Sequence, residues 1–199
     1  NIFTYKKTFM TDISILDGGL GQEIQKRSKQ AAHPLWSVMV MFDKPEIVVQ
    51  VHKDFIANGA RVICLNTYAA TKTRMMKHGY GDKLESAHKT AINLALKSIN
   101  ESKLNDVSLQ LAGCLPPLVS SYVSEVSMDF DHSLDEYRQL VDYQKHDVDL
   151  FLIETMSNIE EARAAITAVK ETDKPVYIGF TLDDNTTNKL RSGEDLNIA

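Results

Sequence analysis

The chain has 199 residues, 43% of them hydrophobic and 25% charged, with a formal net charge of -5. Those values suit one large globular unit, and basic residues scattered among acids exclude a nucleic-acid or anionic-membrane surface. No apolar run approaches the roughly 20 residues needed to span a bilayer.

Residues 1–12 read as an N-terminal extension, because "NIFTYKKTF" precedes Met10, a candidate start; it also lacks the apolar block of a signal peptide. Residues 13–199 then alternate between two periodicities. Strand candidates are "ISILDGG" (13–19), "RVICLNTY" (61–68), "VSLQLAG" (107–113), "DLFLIET" (149–155) and "PVYIGFT" (175–181). Each is short and apolar at nearly every position, as expected of parallel strands covered on both faces by helices.

Between them lie helix candidates. Asp43 with Glu46, Asp82 with Glu85, Ser133 with Glu136 and Ser157 with Glu160 each fit the capping-box spacing. Val48, Val51 and Phe55 form a core stripe on the first helix, which Asn58-Gly59 should end. Leu84, Ala87, Ala91, Leu94 and Ala95 form a second stripe; Ile159, Ala162, Ile166 and Val169 form another. Strand and helix in alternation predict βαβ units and a parallel sheet. A (β/α)8 barrel needs eight strands in about 250 residues, whereas a doubly wound, flavodoxin-like sheet needs five or six. On the five strands counted, the open sheet fits the length better.

Polar residues cluster where strands end, the ligand-binding edge of both architectures. Asp17-Gly18-Gly19, Asn66-Thr67-Tyr68, Gly113-Cys114, Glu154-Thr155 and Thr181 occupy those ends. A core strand that finishes in Glu154 carries a carboxylate that is costly to bury alone. Together with Asp17 it suits a substrate ammonium, with Thr67 adding a neutral hydrogen bond and the glycines allowing close approach. A turn aspartate and an ion-paired glutamate are the structural alternatives.

Other patterns point to no chemistry. Glu85 and His88 make a single E-x-x-H, expected on a solvated helix face. Met75-Met76 is gap-filling or surface. "GGLG" lacks dinucleotide-loop spacing, and there is no G-x-S-x-G or HExxH. Cys64 and Cys114 are far apart in sequence and form no CxxC pair, which predicts small buried thiols in a reducing cytoplasm.

"ILDGGLGQEI", "PLWSVMVMFDKPEIVVQVHKDFIANGARVICLNTYAAT", "LAGCLPP" and "LIETMSNIEEARAAI" resemble, in order and spacing, the homocysteine S-methyltransferase family. The "PLWS" segment resembles the members that use S-methylmethionine. The resemblance implies a (β/α)8 TIM barrel with about its first five βα units present. It implies methyl transfer to homocysteine from S-methylmethionine, betaine or a folate, with homocysteine and a small methyl donor as partners; an open apolar edge makes a homo-oligomer a separate expectation. By resemblance Asp17, Gly18, Thr67 and Glu154 are the homocysteine-binding positions. Gly19, Asn66, Cys114 and Thr181 are expected to line the pocket.

The same resemblance implies a Zn2+ ion held by three cysteines, one in a G-x-N-C stretch after the sixth strand and two adjacent near the eighth. Neither stretch occurs in these residues. Cys64 and Cys114 do not match those positions and are not assigned as metal ligands. The sequence stops at "SGEDLNIA", so the expectation is either a longer chain or a truncated form that needs a partner to cover its open edge. An inactive amino-acid-binding or scaffold fragment, or an unrelated flavodoxin-like domain, are the competing readings.

Overall fold

The computed structural model describes residues 13–31, 33–102, 108–125 and 128–199. The N-terminal extension lies outside them, as does Val107, with which the third strand candidate begins. Five strands form one parallel sheet: β1 (Ile15–Leu16), β2 (Ala60–Cys64), β3 (Gln110–Leu115), β4 (Leu150–Met156) and β5 (Val176–Phe180). They lie in the order β1-β2-β3-β4-β5, and every pairing is parallel. A doubly wound sheet reverses direction at a switch point; here each strand is added on the same side, as in a barrel wall. Strand order therefore overturns the flavodoxin-like alternative, which counting strands had favoured.

Helices α1 (Leu20–Ser28), α2 (Ser37–Asp43) and α3 (Pro45–Ala57) connect β1 to β2. Helices α4 (Lys72–Lys77) and α5 (Leu84–Glu101) connect β2 to β3; α6 (Phe130–Gln144) and α7 (Ile159–Lys170) make the next two crossovers. In α3 Pro45 occupies the first turn, where its missing N–H costs nothing. Its Val48, Val51 and Ile56 are fully buried, and Gly59 follows at φ +107° to release the chain toward β2. Among the described residues no helix is long and apolar enough to cross a membrane.

Burial follows sheet position. Leu150, Phe151, Leu152 and Ile153 of β4 are all buried, but Ile15 of β1 is 54% exposed and Tyr177 of β5 is 63% exposed. The expectation that all five strands are covered on both faces thus fails at the two outer ones, each of which has a single neighbour. At the C-terminal end, residues 181–199 pack against the start of α7. There the Glu194 carboxylate accepts a hydrogen bond from Ile159 N at 2.9 Å, which satisfies a helix-end donor.

None of the four predicted capping boxes forms at its predicted residue. Asp129 caps α6 by accepting from His132 N, and Asn158 caps α7 by accepting from Glu161 N. Asp43 closes α2, Asp82 lies in a 3-10 turn, Ser133 is buried inside α6, and Ser157 bonds Thr181. In α6 and α7 a neighbouring Asx residue with extended backbone supplied the same chemistry closer to the helix start. The E-x-x-H is also not a solvated face. Glu85 is exposed and pairs with Lys89, but His88 is fully buried, bonded to Ala70 O at 2.9 Å and stacked on Tyr143. Met75 is buried and Met76 exposed.

Gly113 of β3 lies opposite Phe151 of β4 in the parallel pairing. A Cβ there would meet the Phe151 ring at 2.6 Å and Gln144 Oε1 at 2.8 Å. Gln144 is itself committed, accepting from Cys114 N at 2.9 Å and donating to Cys114 O at 3.2 Å. Gly113→Ala is expected to cost about 1–3 kcal/mol through overpacking, read as a lower urea midpoint; an unchanged midpoint would refute this packing.

Two buried histidines set the acid limit. Burial lowers His52 and His88 from 6.5 to about 4, and both His52 ring nitrogens lack a partner among the described residues. A group whose folded value is depressed contributes stability above pH 6.5 that is lost as pH falls toward 4. Each histidine should remove about 3 kcal/mol over that window. Urea unfolding of His52→Leu should show no loss at pH 7 and a flatter decline between pH 6.5 and 4.

Candidate functional site

Because the strands are parallel, their C-terminal ends share one rim. β1 delivers Asp17 there, β2 Cys64, β3 Cys114 and β4 Glu154. Asp17 is tied to the neighbouring strand twice, its N–H donating to Val62 O and its Oδ2 accepting from Cys64 N, both at 2.9 Å. Cys64 in turn donates its thiol to Glu154 Oε1 at 3.0 Å. The Cys64, Cys114 and Glu154 ligand atoms all lie within 4.8 Å of one another.

Burial dominates the electrostatics of this rim. It pushes Asp17 up to about 7, against the Cys64 N–H that favours the carboxylate, with Glu154 adding repulsion. Glu154 is raised for the same reason, opposed by hydrogen bonds from Cys64 and Cys114. Cys64 stands well above its ordinary value because of its contact with Cys114, then burial and the nearby carboxylates. The same contact pulls Cys114 down, but burial and Glu154 leave it raised. Two desolvated acids and two protonated thiols thus face one small volume, an environment that favours a bound cation.

The family model described as homocysteine S-methyltransferase matches residues 14–199. The chain belongs to the homocysteine S-methyltransferase family. It is 27% identical to homocysteine S-methyltransferase 1 of Saccharomyces cerevisiae, over 92% of this chain and 61% of that protein. It is 31% identical to betaine–homocysteine S-methyltransferase 1 of Xenopus tropicalis, over 83% of this chain and 40% of that protein. The metallated form of the homocysteine methyltransferase MmuM from Escherichia coli superposes with a TM-score of 0.84 at 24% identity, covering 95% of this chain and 69% of that one. The chain therefore spans about three-fifths of the yeast relative's length, and the barrel fold is shared.

Within this family member the remaining candidate residues divide by what their side chains already do. Thr67 is buried, and among the described residues its Oγ1 has no hydrogen-bond partner of good geometry, although it lies near enough to Cys114 to favour that thiolate. Gly18 and Gly19 are exposed beside Asp17, and a Cβ on Gly18 would press to 2.9 Å from the Phe55 ring. Asn66 is consumed by α2, accepting from Ser37 Oγ at 2.5 Å and donating to Ser37 O at 3.1 Å. Thr181 bonds Ser157 Oγ at 3.0 Å and Met156 O at 3.3 Å. These last two are occupied in holding secondary structure.

Sequence reasoning did not single out the support behind Glu154. β4 pairs with β5 at Ile153↔Ile178 and next at Met156↔Phe180, so Glu154 and Thr155 bulge against one residue. Thr155 takes φ +56°, a strained conformation for a β-branched residue. Its Oγ1 is held by the Tyr68 hydroxyl, which also bonds Ser121 Oγ at 2.7 Å. The Arg74 guanidinium lies 5.5 Å from the Tyr68 ring centre and donates to Pro117 O at 2.7 Å. Tyr68 and Thr155 stand out only as strand-end residues, and no local pattern marks Arg74 or the contacts among them, because the partners lie on different βα loops. Tyr68→Phe should lose about 1 kcal/mol in chemical denaturation, and equal stability would show that the bulge needs no such anchor.

Proposed function

We propose that the protein transfers a methyl group to the sulfur of homocysteine, with S-methylmethionine as donor and methionine as product. The observation that carries this reading is the convergence of Asp17 and Glu154 on one rim of a barrel wall that belongs to this family. Two carboxylates held at the cost of desolvation have most to gain from a substrate ammonium, which supplies charge-assisted hydrogen bonds to both. Thr67 offers its unpartnered hydroxyl, and Gly18 and Gly19 leave the mouth open beside Asp17.

The names of the relatives support homocysteine as the acceptor, and the "PLWS" segment supports S-methylmethionine over betaine. Zinc, when bound, keeps an acceptor sulfur as thiolate, the nucleophilic form. The three-cysteine set implied by resemblance does not occur in these 199 residues, so the residues present here supply the amino-acid part of the site. A cytoplasmic setting and a homo-oligomer complete the reading; reducing conditions suit two free buried thiols.

Calorimetric titration with homocysteine tests the site. A lost charge-assisted bond is worth about 1.5–3 kcal/mol, so Asp17→Asn and Glu154→Ala should each weaken binding roughly ten- to a hundredfold. Unchanged affinity in both variants would overturn the reading. Isotope-labelled S-methylmethionine and betaine, offered separately, should label methionine only from the former.

A further inference from the structure

We propose that Cys64, Cys114 and Glu154 form a binding site for a thiophilic divalent metal ion, zinc above all. The site lies on the first five strands themselves and is distinct from the three-cysteine set that the resemblance implies. It does not depend on the methyl-transfer reading.

The geometry carries the argument. The three side chains leave the ends of adjacent strands β2, β3 and β4 on the same rim. A tetrahedral zinc with Zn–S near 2.3 Å and Zn–O near 2.1 Å places two sulfurs about 3.8 Å apart and a sulfur and an oxygen about 3.5 Å apart. Here Cys64 Sγ is 3.0 Å from Glu154 Oε1, and all three donor atoms fall within 4.8 Å. The Cys64–Glu154 separation is shorter than a coordination sphere requires, and the 4.8 Å bound on the other donor pairs exceeds it by about 1 Å, so side-chain rotation alone is enough to reach it. The donor set also has the composition zinc takes in sites that keep one position open, namely three protein ligands including thiolates.

The surroundings fit a metal better than they fit two neutral thiols. Cys64 and Cys114 are 7% and 1% exposed. Both are fixed at the backbone, Cys64 by Asp17 and Cys114 by the paired bonds from Gln144. Thr67 Oγ1, 1% exposed beside Cys114, has no hydrogen-bond partner of good geometry among the described residues. A protonated thiol is a weak acceptor, but a metal-bound thiolate takes a hydrogen bond readily, so coordination would satisfy this hydroxyl as an outer-sphere donor. Binding exchanges the two thiol protons for the cation: both S–H bonds break, two metal–sulfur bonds form, and two protons pass to solvent. No oxidant or reductant is involved. The occupant shares Glu154 with a substrate ammonium, so metal and amino acid should compete at that carboxylate while Asp17 stays free for the amine.

The test uses these 199 residues, reduced, stripped of metal by chelation and free of homocysteine. Titration with Co2+ should give sulfur-to-cobalt charge-transfer absorption that saturates at one equivalent and is displaced by Zn2+. Cys64→Ser and Cys114→Ser should abolish that absorption, and Thr67→Val should weaken binding about tenfold, with far-UV circular dichroism unchanged. A measurement that needs no variant is alkylation of the native protein followed by mass spectrometry, in which Zn2+ should protect Cys64 and Cys114 together. Absence of one-equivalent binding, survival of the absorption in either serine variant, or equal alkylation with and without Zn2+ would each overturn the proposal.

Discussion

Five strands running in one direction, each added beside the last, are the constraint on which the rest of this chain depends. Parallel pairing puts every strand's C-terminal end on the same rim, so groups separated by long stretches of sequence become neighbours there. Asp17, Cys64, Cys114 and Glu154 meet only for this reason. The helices serve the same constraint from outside, since a parallel sheet needs its outer face covered and each crossover supplies a helix for it.

The rim is held in an arrangement that works against stability. Burial raises both carboxylates and Cys114, contact with Cys114 and then burial raise Cys64, and Thr155 adds a left-handed backbone beside Glu154. The rest of the wall fixes these groups in place. Gln144 reaches from α6 to clasp the backbone of Cys114, and Tyr68 reaches from the β2 rim to hold Thr155. Desolvated acids that have no counter-charge among the described residues signal a site built for a ligand rather than for the fold. The methyl-transfer reading and the metal site draw on the same stored electrostatic demand, answered in one case by an ammonium and in the other by a cation bound through sulfur.

Local periodicity was a good guide to element type and a poor guide to boundaries. The apolar stripe of α3 and its end at Asn58-Gly59 stand as read, because a one-sided helix and a positive-φ glycine are local requirements. The capping boxes did not, because several acceptors lie near each helix start and backbone geometry selects among them: Asp129 and Asn158 were extended at the right residue, Ser133 and Ser157 were not. His88 was misjudged for a similar reason. Its spacing from Glu85 suggested one exposed face, yet the packing of Tyr143 and the carbonyl of Ala70 placed it in the core.

By itself the sequence determined the alternation of strand and helix, the apolar strand bodies, and the carboxylates waiting at the ends of β1 and β4. Those features follow from periodicity and from the cost of burying charge, which neighbouring residues reveal. The barrel order of the strands, which periodicity left open, was implied by the family resemblance and is what the sheet adopts; tertiary structure alone decided the half-exposed outer strands, the bulge that carries Glu154, and the meeting of Cys64 with Cys114. Register sets these: Cys64 pairs with Ala112, which brings Cys114 onto the same rim, and no spacing within either strand records where its neighbour will lie.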